Sequence, residues 1–179
     1  MSDEQEDTVL SLRPHDVVVA LQLAVAPTMS YGALAEAIGL SKGETHNAVK
    51  RLTAAKLLSS HTRKPNRQAL LEFIVGGVPY AFAAELGPPT RGVPTAHSAP
   101  LLAAEILESD PVVWPSMEGE ARGASIQPLY PGAPSTARRN PDLYELLTLV
   151  DALRIGRARE RQRAKALLHD RLAAANPDG

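Results

Sequence analysis

Cysteine is absent from the 179 residues, which excludes disulfides, thiolate metal sites and cysteine nucleophiles and fits a reducing compartment, so the expected location is cytoplasmic. An excess of either charge is absent too. The formal net charge is −1 and the pI about 6.5, so any nucleic-acid surface must be a local patch. No apolar run is long enough to span a bilayer: the longest, VVVALQLAVA, falls well short of the roughly 20 residues a transmembrane helix needs. The amino terminus, MSDEQEDTVL, is acidic and polar where a secretion signal would be basic and then apolar. It reads as a disordered acidic tail over 1–10 of a soluble protein with no membrane partner.

The usual catalytic constellations are missing as well. His15, His46, His61, His97 and His169 are scattered without the short spacings that metal ligation favours, and no carboxylate pair accompanies them. There is no glycine-rich phosphate loop and no nucleophile elbow, and GEARGAS is too short and polar for a dinucleotide fingerprint. The expectation is a protein that is not an enzyme, with no cofactor, no metal site and no catalytic residues.

What is present is 44% hydrophobic sequence, enough for one good core or two small ones, arranged in regimes. From 11 to 77 the pattern is helical with few prolines. Pro14 suits a first helical turn, Val17, Leu21, Ala24 and Val25 follow at helical spacing, and Pro27 ends the segment. Ser30 caps a second helix with Leu34, Ala35 and Ile38 on one face, and Gly39 sits where the chain must reverse. Ser41 caps a third, with Thr45, Ala48, Val49 and Leu52 facing inward and an end near Lys56. LLSSHTRKPNRQALLEF then reads as a basic hairpin with Pro65 and Asn66 at its tip; its return arm fits strand or helix equally.

The stretch LAEAIGLSKGETHNAVKRLTAAKLL, with small Ala35 inside the second helix, Gly39 in the turn, and Leu40 and Ser41 opening the third, resembles the winged helix-turn-helix of bacterial regulators of the MarR-like and IclR-like kind. The resemblance covers about Arg13 to Arg67. It implies a fold that is mainly α with a small β-wing (α+β), and a sequence-specific transcriptional regulator, of repressor type, that binds double-stranded DNA as a homodimer. The polar face of the third helix carries Lys42, Gly43, Glu44, His46, Asn47, Lys50 and Arg51. His46 and Asn47 suit base edges, Lys50 and Arg51 suit phosphates, and Glu44 suits either a cytosine amino group or the helix cap. In the wing, His61, Arg63, Lys64 and Arg67 would meet the flanking backbone or minor groove.

From 78 to 139 prolines and glycines recur, yet Tyr80, Phe82, Val112, Val113, Trp114, Ile126, Leu129 and Tyr130 supply too much apolar surface for disorder. A short helix at APLLAAEIL and a hairpin turning at MEGE, with Trp114 and Ile126 on facing strands, are expected. TRGVPTAHSAP suggests no mechanism. From 140 to 174 the chain is helical again: Asn140 and Pro141 start a helix whose Leu143, Leu146, Leu147, Val150 and Leu153 share a face, buried in the same chain or, as the dimerisation expectation has it, in a second copy. Gly156 breaks the helix. The arginine-rich continuation packs Ala158, Ala166, Leu167, Leu168 and Leu172 on a partner, or offers a second nucleic-acid contact. The competing reading is an antitoxin-like or defence-system regulator that uses the region beyond residue 77 to hold a protein partner.

Overall fold

The computed structural model describes residues 10–106 and 109–174, so the expected tail over 1–10 lies, except for exposed Leu10, outside the described residues. Among the described residues the chain is mainly helical with one small three-stranded sheet, an α+β architecture.

Helix α1, Pro14–Val25, has every residue from Asp16 to Ala24 buried. A helix apolar on nearly all sides needs partners on all sides. On one side these are α2, Tyr31–Ile38, and α3, Lys42–Ala54, and on the other α8, Pro141–Ile155. The cap residues act as their types dictate. Ser30 Oγ accepts from Ala33 N–H at 3.1 Å, and Gly39 closes α2 in the left-handed region at φ 70°.

After α3 the chain makes only a stub of a hairpin, a single bridge between Leu58 and Pro65. The expected tip at Pro65 and Asn66 is corrected: the turn lies between Ser59 and Lys64, joined by Ser59 N–H to Lys64 O at 2.9 Å. Asn66 instead caps α4, Arg67–Gly76, accepting from Ala69 N–H at 3.1 Å, so the return arm is a helix. A short helix α5, Val78–Ala81, follows.

The middle region is a closed three-stranded barrel packed on α8. Strand β1, Gly87–Pro94, pairs antiparallel with both β2, Val112–Pro115, and β3, Ala121–Ser125. β2 and β3 therefore run parallel to each other, and the expected MEGE hairpin does not form. Both ends of the 116–120 connection meet one residue, because Gly92 is opposite Pro115 on one side and Ala121 on the other. Such a short connection between parallel strands is uncommon. It is possible here because backbone lies on backbone: a Cβ on Gly92 would fall 2.0 Å from Trp114 O, and one on Gly119 2.1 Å from the Gly92 carbonyl carbon. The short helix expected at APLLAAEIL is α6, Pro100–Ala103, reached through a 3-10 turn at Ala96–Ser98.

Helix α7, Ala133–Arg139, leads into α8, which Asn140 caps by accepting from Leu143 N–H at 3.3 Å. Leu143, Leu146, Leu147, Val150 and Leu153 are all buried within this chain, against α1, α9 and the barrel side. Of the alternatives open in the sequence, their own core takes them, and those side chains are not on a surface that a second copy could cover. Asp151, also on α8, accepts from Thr95 Oγ1 at 2.7 Å, Trp114 Nε1 at 2.6 Å and Arg154 Nη1 at 2.7 Å, which ties the barrel to the helix. Gly156 ends α8, and α9, Ala158–Ala174, packs back on α8 and α4 through Ala164, Leu168 and Leu172. Ala158 and Ala166 are exposed, correcting their expected place in that face; the buried row at every fourth residue drifts around the helix and takes Ala164 instead.

Candidate nucleic-acid interface

Helix α3 is fixed at both ends of its polar face. At its start a reciprocal capping box forms: Ser41 Oγ accepts from Glu44 N–H at 3.1 Å, while Glu44 Oε2 accepts from Ser41 N–H at 3.2 Å and from the Ser41 hydroxyl at 2.9 Å. These bonds, the hydroxyl first, hold the Glu44 carboxyl below the ordinary glutamate range. Glu44 thus takes the capping role of the two open to it.

Near its end Arg51 makes a two-pronged bond to fully buried Asp16, Nε to Oδ2 at 2.8 Å and Nη2 to Oδ1 at 2.7 Å. His15 Nε2 lies 3.2 Å from the same Nη2. The bond to Asp16 raises the already high pKa of the guanidinium. Arg51 is therefore the clamp between α1 and α3, and its expected role as a phosphate contact is corrected.

Two of the hairpin cations are likewise turned inward. Arg63 donates through Nη2 to Met29 O at 3.1 Å and lies over the Tyr31 ring, 4.5 Å from its centroid. Arg67 donates to Leu172 O and, at 3.0 Å, to Ala24 O, and burial lowers its pKa. Both join segments of the fold, so their assignment to DNA is corrected in the same way.

The remaining candidates come together on one open surface. Lys42, His46 and Lys50 follow one another at four-residue spacing along α3, with Gly43 and Asn47 in the adjacent row, and all five are exposed. His61 and Lys64 are exposed on the hairpin. Lys42, Asn47, Lys50 and Lys64 engage no charged side chain among the described residues. Lys56 adds an exposed cation where α3 runs into the hairpin, and together with Thr53, Ser59, Ser60 and Lys64 it borders a shallow groove of about 370 Å³.

Three residues that sequence reasoning missed organise this surface. Asp16 and His15 hold Arg51, and Tyr31 stands between the hairpin and α3, with the His46 ring 5.2 Å away at 47° and Arg63 over its face. Tyr31 directly follows the Ser30 cap, which places it at the amino-terminal end of α2, beside α3.

Among the described residues no group of three or more histidine or acidic side chains is placed to hold a metal ion, and no helix is long and apolar enough to cross a membrane. No protein-family model matches this chain, and no match is found among curated proteins or solved structures.

Proposed function

We propose that this protein is a sequence-specific DNA-binding regulator, of repressor type, that reads the major groove with α3 in a winged helix-turn-helix whose wing is the stub hairpin. What carries the reading is the solvent face of α3: Lys42, His46, Asn47 and Lys50 project from a helix that is capped at one end and clamped by Arg51 to Asp16 near the other. A rigid helix with an exposed row of donors is what groove readout requires. Asn47 and His46 supply directional bonds to base edges, and Lys42, Lys50 and Lys64 neutralise phosphates.

The competing reading, a protein partner held by the region beyond residue 77, finds less support in the middle part of that region. Val112, Val113, Trp114, Ile126, Leu129 and Tyr130 are all buried in this chain, which leaves Tyr80 as the exposed member of that apolar set. Since the α8 leucines are internal, a homodimer on a two-fold operator would have to form through another face.

The test is fluorescence anisotropy with labelled duplexes, first random and then selected from a randomised pool, across a salt series. Binding should weaken linearly on a log–log scale as salt rises. A chain that binds no duplex at low salt, or a Lys42→Ala/Lys50→Ala/Lys64→Ala variant that binds with an unchanged salt slope, would overturn the reading.

A further inference from the structure

Tyr31 lies where three parts of the amino-terminal region meet. Its ring is half-buried and packs against the core, which anchors it at the start of α2. From the hairpin, Arg63 sets its guanidinium over the ring, 4.5 Å from the centroid and inside the roughly 6 Å reach of a cation–π contact, while its Nη2 donates to Met29 O at 3.1 Å. Arg63 does so from a left-handed backbone conformation, φ 58°, which is unfavourable for a residue with a Cβ and persists where surrounding contacts hold it. From α3, the centroid of the His46 imidazole lies 5.2 Å from that of Tyr31, the rings at 47°, within the spacing of favourable aromatic pairs.

His46 differs in this from its neighbour on the same face. Both His46 and Asn47 are exposed, and neither side chain makes a hydrogen bond or an ion pair among the described residues. An exposed side chain without a partner moves among its rotamers and must be ordered on binding, which subtracts from affinity. Asn47 carries that cost in full. For His46 the Tyr31 ring favours one orientation in the unbound chain, and that ring is itself held by the core and by Arg63.

We propose that Tyr31 is a positioning residue for base readout: its ring fixes the His46 imidazole and so sets the direction in which the ring nitrogens meet a base edge, while Asn47 reads without its help. Given the DNA-binding reading on which this rests, Tyr31 need touch no base; it acts through His46.

Two measurements test this, one of them without DNA. In the first, the His46 ring protons of the full chain are followed by NMR at fixed pH. The Tyr31 ring current should displace them from their positions in an unstructured peptide, Tyr31→Leu should return them there, and Tyr31→Phe, which keeps the ring, should not. Undisplaced protons in the unaltered chain, or the same displacement in Tyr31→Leu, would overturn the proposal whether or not DNA is bound. In the second, the ratio of affinities for selected and random duplexes is compared. A variant that merely loosened the fold would lower both affinities and leave their ratio alone. Tyr31→Leu should lower the ratio by about fivefold, and Tyr31→Phe should restore it. The loss should vanish in a His46→Ala background and persist in an Asn47→Ala background. A chain that binds no duplex removes the DNA-binding reading and this inference with it. A chain that discriminates while Tyr31→Leu leaves the ratio unchanged, or a loss of equal size in both backgrounds, overturns this inference alone.

Discussion

The carboxylate of Asp16 and the guanidinium of Arg51, 35 positions apart, form a two-pronged bond at 2.8 and 2.7 Å that sets α3 against α1. Asp16 is fully buried and the Arg51 side chain only 11% exposed. Arg51→Ala should therefore lower the unfolding free energy by about 3–5 kcal/mol, because it strands a buried charge. Asp16→Leu/Arg51→Met should recover most of that loss. Urea denaturation of the two single variants and the double variant gives the comparison.

The cations near α3 should separate into two classes. Lys42→Ala, Lys50→Ala and Lys64→Ala should each reduce the log–log salt slope of duplex binding by roughly 0.9 with little change in stability. Arg63→Ala and Arg67→Ala should reduce stability, since each holds backbone carbonyls of another segment. His46→Ala or Asn47→Ala should cost about 1–3 kcal/mol on a selected sequence and little on random DNA. Anisotropy and thermal melting on the same preparations read both classes.

Two glycines should respond in opposite directions to alanine. At Gly92 the new methyl would sit 2.0 Å from Trp114 O, so the barrel must open or distort, and the variant should be destabilised by more than about 2 kcal/mol. At Gly43, inside α3, the nearest atom is Ser41 Oγ at 4.0 Å, so alanine should stabilise by about 0.5–1 kcal/mol. Melting temperatures settle both signs.

The capping box makes α3 sensitive to acid. The hydrogen bonds from Ser41 hold the Glu44 carboxyl below its ordinary value of 4.5. A lowered carboxyl pKa contributes stability above the unfolded value and loses it as pH falls through the folded one. Glu44 should accordingly titrate below 4.5 by carboxyl NMR, and amide exchange at the start of α3 should quicken over that interval. Glu44→Gln should remove the pH dependence.

At the alkaline end the sign reverses. Burial pushes Tyr130 and Tyr144 from 10 to about 12. Stability from keeping them neutral is complete below the unfolded value near 10 and is lost as pH rises through the folded one. Absorbance at 295 nm should show both phenols ionising near 12 in the folded chain and near 10 in denaturant.

The helical part of the fold was legible in the sequence because its signals are local. Ser30, Gly39, Ser41 and Asn140 each dictate a cap within a few residues of themselves, and each does so in the structure. The barrel was not legible. Its central strand, GPPTRGVP, carries three prolines and two glycines and none of the alternation that marks a strand, and it is defined only by its two partners. The candidate surface divided on the same principle. Exposure of Lys42, His46, Asn47 and Lys50 followed from helical spacing, but the inward bonds of Arg51, Arg63 and Arg67 reach 34 residues or more along the chain, where periodicity carries no information.

Because α1 is sheathed on every side from Asp16 to Ala24, part of its wrapping comes from a helix more than a hundred residues away. An amino-terminal unit built in this way is not portable. Residues 10–77 cut out and grafted elsewhere would bring a bare apolar flank where α8 had lain, and should aggregate. Inheritance follows the same logic: the amino-terminal and carboxy-terminal thirds must be passed on together, because a substitution among the α8 leucines is felt by the helix that carries Asp16, and through Arg51 by the face proposed to meet DNA.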